Sequence, residues 1–188
     1  MRSALGVLLL ALAATSVARA TVIVPIDFNE LAVTADAVVY ARVTDVRSLV
    51  TDDRRRVESI VVLEAIGYMK GNLGRRIAFR VPGGQVGAYR TVMVGAPSFA
   101  RGDEVVLFLA SRRPGPIAGT RAPAPYIVGF GQGVYRVRVD ERTGARVVVP
   151  PPAISGSETV RLARGTRSPM PLESFAAQVR ALAAGSAR

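Results

Sequence analysis

Four side chains have the types and spacing to hold an anion: Arg80, Tyr89, Arg90 and Arg101. Arg80 immediately precedes, and the other three lie within, the stretch VPGGQVGAYRTVMVGAPSFARGDEVVLFL, which begins Val81-Pro82-Gly83-Gly84. Guanidiniums take carboxylate or phosphate through paired N–H donors, and glycine-rich loops can bring backbone amides to the same group. A phosphate-cradling loop, however, needs its glycines immediately before a helix, so that the helix N-terminus meets the anion. Residues 85–94 read instead as extended chain, and Pro82-Gly83 as a turn whose second residue has positive φ. Gly95-Ala96-Pro97 and Arg101-Gly102-Asp103 read as two further turns. The glycines are therefore expected to be corners, with the four polar residues as the most plausible ligand contacts. Gly129-Phe130-Gly131-Gln132-Gly133 has the look of a nucleotide fingerprint, but strand patterns flank it on both sides. Its alternating glycines are expected to strip one face of a strand for a sharp bend or a close backbone approach.

Other chemistries are narrowed by composition. The chain has no Cys and no His, which removes the usual zinc, haem and blue-copper ligand sets along with Cys–His and Ser–His–Asp machinery. Carboxylate pairs, a Ser–Lys dyad and an oxygen-ligand calcium site stay open. The acidic neighbours Asp52/Asp53, Asp103/Glu104 and Asp140/Glu141 fall at predicted turns, and adjacent side chains on extended chain point apart. Ser98 lacks the spacing of a nucleophile elbow, and nothing in the sequence places a serine beside Lys70. The reading is of a protein that is not an enzyme, with no metal and no cofactor.

Net charge is +11, and arginine supplies all of the basic residues except Lys70. Arginine suits bidentate anion binding; a GC-rich genome would give the same bias. Arg54-Arg55-Arg56 is the densest basic cluster, partly offset by Asp52 and Asp53. Arg136, Arg138 and Asp140 share one strand face, read as the wet side of a sheet. Aromatic residues are few and do not interleave with the basic ones, which argues against nucleic acid.

The elements that must carry these residues follow from periodicity. MRSALGVLLLALAATSVARA begins with a positive residue, continues with an apolar run and ends on Ala18-Arg19-Ala20. This is the pattern of a secretory signal over residues 1–20, with a mature start at Thr21. The run is shorter than the ~20 residues that span a bilayer, and no later apolar stretch is long enough. An exported chain without cysteine fits a bacterial periplasmic or extracellular protein. Asp27 and Glu30 have capping-box spacing ahead of a short helix over 28–35. The period then becomes two: strands are predicted over 37–46, 57–69, 76–81, 126–130, 134–140 and 146–149. The first is expected to be half-buried, and the stretch 105–109, apolar on both faces, to be a central strand. Residues 21–150 thus form one β domain, a closed or nearly closed barrel or a sandwich. A Pro/Gly/Ser-rich linker over 151–170 leads to a C-terminal helix over 171–185. Its stripe of Leu172, Phe175, Val179 and Leu182 is expected to dock on the domain.

Ala35-Asp36-Ala37-Val38-Val39-Tyr40-Ala41-Arg42-Val43, the strand ending in Met69-Lys70-Gly71, Val81-Pro82-Gly83-Gly84, Gly95-Ala96-Pro97-Ser98-Phe99, Gly102-Asp103-Glu104-Val105-Val106-Leu107-Phe108-Leu109 and Gly131-Gln132-Gly133 form a series. In this combination it resembles a set of uncharacterised exported bacterial β domains. Their layout is similar to the OB-like barrel of the netrin and tissue-inhibitor-of-metalloproteinases group. The resemblance implies a mainly β chain: an OB-like closed or partly open β-barrel with a short N-terminal helix and a C-terminal amphipathic helix. It implies no functional residues, since those inhibitors use an N-terminal cysteine and disulfides that this chain does not have. The expected function is an exported binding module for a protein or a cell-envelope component. The alternatives are an arginine-mediated binder of anionic polymer and a peptidase-inhibitor-like protein.

Overall fold

Val, Ile and Thr crowd residues 37–70, and β-branched side chains favour extended chain. They form a long antiparallel hairpin of β1 (Ala37–Val50) and β2 (Val57–Lys70). The computed structural model describes residues 24–51, 56–111, 124–152 and 168–185. The expected signal segment, the tip residues 52–55 and most of the expected linker lie outside the described residues. β3 (Arg76–Pro82) returns along β2, while β4 (Gly84–Val86) and β5 (Tyr89–Thr91) pair only with each other. β6 (Glu104–Ser111) lies on the other side of β1, followed by β7 (Pro125–Ile127), β8 (Val134–Val139), β9 (Arg146–Val149) and β10 (Met170–Pro171). The main sheet runs β10-β9-β8-β6-β1-β2-β3, with β7 paired to β6 beyond β8. Helices α1 (Phe28–Thr34) and α2 (Leu172–Gly185) complete the chain.

The sheet is not closed into a barrel. Closure requires the two end strands to share a ladder. Here β6 divides one edge between two partners, Val105–Leu107 with β8 and Leu109–Ser111 with β7. The chain turns back between them through a single 3-10 turn, Phe130–Gly133, and β8, β9 and β10 continue outward from there. β7 and β3 come into contact, but no ladder joins them. Register shifts at Val38/Val39, Tyr40/Ala41 and Val43/Asp45 bend the β1–β2 pair, as bulges do.

Both faces of the centre are covered. Val39, Ala41, Leu63, Phe79 and Leu107 belong to one core, whereas Val38, Tyr40, Val106, Phe108 and Tyr135 meet the helices in another. The central position of residues 105–109 follows expectation. Strand β1 does not: residues 37–41 are buried on both faces because α1 and α2 cover the side that alternation alone assigned to water. Asp27 caps α1 by accepting from the Asn29 amide (3.0 Å). At the other end the Lys70 ammonium donates to the Ala32 and Val33 carbonyls (2.8 and 2.9 Å). The one lysine thus satisfies helix-end acceptors that have no partner within the helix. Helix α2 docks as its stripe predicts: Phe175 and Val179 are buried, and Leu172 and Leu182 pack against the same cluster. No helix among the described residues is long and apolar enough to cross a membrane.

Candidate functional site

The glycine-rich stretch turns corners. Gly83 (φ 102°) and Gly84 (φ 141°) have conformations that an L side chain rarely adopts, and β4, a strand and not a helix, starts at Gly84. The Gly83 amide donates to the Val57 carbonyl (2.9 Å). The Ser59 hydroxyl donates to the Gly83 carbonyl (2.8 Å), and the Val57 amide donates to Thr91 Oγ1 (2.9 Å). These bonds clamp the small β4–β5 hairpin onto the end of β2. They also give the Gly83 amide a protein acceptor where an anion cradle would need it open.

The four residues singled out from the sequence are dispersed. Arg80 lies on β3 and pairs with Glu58 (3.3 Å). Tyr89 and Arg90 project from β5, both exposed, and Arg101 is exposed in the turn before β6. No hydrogen bond or ion pair among the described residues joins them. The hairpin and the chain just after it carry something else that the sequence reading treated only as extended chain. Tyr89 is 68% exposed, Val92 73%, Met93 41% and Val94 71%. Of the nine large apolar side chains exposed among the described residues, four therefore fall within positions 89–94.

The segment 129–133 is a 3-10 turn rather than a stretch of strand. Its glycines serve close packing. A Cβ on Gly131 would lie 2.5 Å from the Gly95 carbonyl oxygen, and one on Gly133 would lie 2.2 Å from that of Val128. Gln132 clasps the chain ahead of α1: its Oε1 accepts from the Ile26 amide and its Nε2 donates to the Val24 carbonyl, both at 2.9 Å.

A polar cluster that sequence reasoning missed occupies the helix side of the sheet. Tyr40 and Arg42 stand two apart on β1 and so share a face. Register places Arg42 opposite Glu104, the first residue of β6 and not a turn residue. Glu104 Oε1 accepts from Arg42 Nη2 (2.7 Å). Its Oε2 accepts from the Tyr40 hydroxyl and from Arg146 Nε (3.3 Å). The period-two pairing of Tyr40 with Arg42 was the one available signal; Glu104 and Arg146 come from strands distant in sequence. Beside this cluster lies a cleft of about 620 Å³, bounded by Glu64 and Ile66 of β2, the Gly144-Ala145 turn and the start of α2 at Leu172-Glu173.

Burial, followed by the hydrogen bond to Glu104, raises the Tyr40 hydroxyl above the ordinary phenol value. The Tyr40 hydrogen bond, then those from Arg42 and Arg146, outweigh burial and lower the Glu104 carboxyl. The depressed Glu104 contributes stability above the unfolded carboxylate value of about 4.3, lost as pH falls through the folded pKa. The raised Tyr40 contributes below the unfolded phenol value of about 10, lost as pH rises through the folded one. Tyr40→Phe is therefore expected to flatten the alkaline loss, shrink the acid loss and cost about 1–2 kcal/mol at neutral pH. Urea midpoints from about pH 3 to 11 check this; a profile parallel to that of the parent chain would contradict it.

Three further carboxylates, Glu64, Asp103 and Asp140, have structural partners. Glu64 Oε1 accepts from Arg75 Nε and Nη2 (2.9 and 2.7 Å). Asp103 pairs with Arg136 (2.5 Å), whose guanidinium lies 5.4 Å from the Phe99 ring centroid. Asp140 accepts from the Arg142 and Thr143 amides (2.9 and 3.0 Å). The Thr143 amide, then that of Arg142, lowers its carboxyl while shaping the β8–β9 turn. No group of three or more acidic side chains that could hold a metal ion occurs among the described residues. Comparison with protein-family models, with curated proteins and with solved structures gives no match.

Proposed function

We propose that this chain is an exported, non-enzymatic binding module that engages a protein or a cell-envelope component through the β4–β5 hairpin and the adjoining residues 92–94. The observation that carries this is the exposed series of Tyr89 on β5 and Val92, Met93 and Val94 in the chain just after it, none of them in either core. Clustered exposed apolar side chains mark contact surfaces more often than isolated ones do. Tyrosine anchors such contacts, methionine adapts to them, and Arg90 supplies a charged rim. The bonds from Val57 and Thr91 hold the hairpin in place without burying its tip. Export rests on the N-terminal pattern of residues 1–20, and an OB-like layout in its partly open form on the β1–β2–β3 meander and the contact of β3 with β7. Anionic-polymer binding is the weaker reading, because Arg47, Arg75, Arg80 and Arg136, on separate parts of the sheet, are already paired with carboxylates.

The test is capture from the native envelope fraction at low and high salt, with the parent chain and with a Tyr89→Ser/Val92→Ser/Val94→Ser variant. The parent is expected to retain one partner at high salt, and the variant to lose it while keeping its melting temperature within a few degrees. Equal retention by the variant would refute the hairpin as the contact. Capture at low salt alone would favour the polymer reading, since phosphate or carboxylate polymers release counterions on binding.

A further inference from the structure

The geometry points to a second ligand site, independent of the hairpin: the cleft between β1, β2 and the start of α2 takes a single carboxylate joined to an apolar group. The cleft presents two guanidiniums that the fold has already oriented. Arg42 is tied to Glu104 through Nη2, and Arg146 through Nε. Arg146 also interacts with the Tyr40 hydroxyl, and the two arginine side chains stay 54% and 51% exposed. Glu104, at 18% exposure, backs them and is itself held by Tyr40. Part of the ordering cost of binding has therefore been met before a ligand arrives, and guanidinium N–H groups favour the planar oxygens of a carboxylate.

Charge selects one anionic group rather than several. Two arginines against Glu104 leave one positive charge on this wall of the cleft. On the other side Glu64 is neutralised by Arg75, while Glu173, in the first turn of α2, has no ion-pair partner among the described residues. Glu173 is a like charge to any anion, and it repels a dianion such as a phosphate monoester about twice as strongly as a single carboxylate. The rest of the lining is apolar: Ile66, half exposed, with Pro171, Leu172 and Ala145. A volume of about 620 Å³ lies in the range of small-molecule sites. The C-terminus of a peptide ending in an apolar residue and an acyl chain offer the same chemistry.

Isothermal titration of the full chain at neutral pH with N-acetyl-leucine, N-acetyl-leucinamide and octanoate tests the site. Saturable binding of N-acetyl-leucine would identify a peptide end, and of octanoate an acyl chain. In either case the amide should bind at least about tenfold more weakly than its acid. Arg146→Gln should weaken the carboxylate about tenfold, with partial recovery in Arg146→Lys. Ile66→Glu, at an exposed position, should abolish binding if Arg146→Gln does not fold, and the triple hairpin variant should bind as the parent does. Absence of saturation by both carboxylates, equal binding of acid and amide, or undiminished binding by folded Arg146→Gln and Ile66→Glu would overturn the assignment. None of these results bears on envelope capture by the hairpin.

Discussion

Phe175→Ala is expected to lower the stability of the folded chain by about 3–5 kcal/mol and to loosen α2 from the sheet. Phe175 is 1% exposed. Its ring centroid lies 5.1 Å from that of Tyr135, 5.4 Å from Phe28 and 6.3 Å from Phe108. One side chain thus ties α2 to α1, β6 and β8. Truncation loses the transfer free energy of the ring and leaves a space that two strands and a helix cannot close without breaking their own packing. Edge-to-face contacts add about 0.5–1.5 kcal/mol per pair beyond area. Arg180→Ala, on the exposed face of the same helix, should stay within about 0.5 kcal/mol. Urea unfolding measures both, and proteolytic cleavage within 172–185 reports whether the helix has come away. A loss for Phe175→Ala below about 1 kcal/mol would mean that α2 does not share the core as described.

Gly133→Ala should be nearly as costly, on the order of 3 kcal/mol, although it adds only a methyl group. That methyl would stand 2.2 Å from the Val128 carbonyl oxygen and 3.1 Å from Ile127 Cγ2. Neither neighbour can yield easily. The Val128 amide donates to the Phe108 carbonyl (2.9 Å), and β7 is paired to β6 at Ile127. Val134, the next residue, enters the β8 ladder opposite Leu107. Moving Gly133 would shift a strand start, and moving Val128 would break a bond to the central strand. Gly67→Ala is the matched control: a Cβ there meets nothing within 4 Å, and the change should fall within about 0.5 kcal/mol. The pair also separates packing from ligand binding. If Gly133→Ala folded with parental stability, close backbone approach would not explain the glycines of 129–133.

Those glycines show how far sequence and structure each reach. Their use for close approach was legible, because a residue without Cβ has few other reasons to recur between strands. That the segment is a 3-10 turn was not, because nothing within five residues says that β7 and β8 share one edge of β6. The candidate sites divide in the same way. Tyr89 and Arg90 were found as side chains of the glycine-rich stretch, and they do sit on the exposed hairpin. Arg80 and Arg101 were chosen on the same ground but lie on other elements: Arg80 on β3, paired with Glu58, and Arg101 in the turn before β6. The Tyr40–Arg42–Glu104–Arg146 cluster joins residues up to about a hundred positions apart, and only register brings them together.

Local rules acted within a single element: the change of period from 3.6 to 2, the cap at Asp27, and the apolar stripe from Leu172 to Leu182. Side-chain direction and backbone propensity are set by near neighbours, so these were determined by the amino-acid order alone. Strand order, the open rather than closed sheet, the second buried face of β1 and the composition of the cleft were decided by the tertiary structure. They depend on which edges pair and which faces helices cover, and free energies of that kind arise only when distant segments exclude water together.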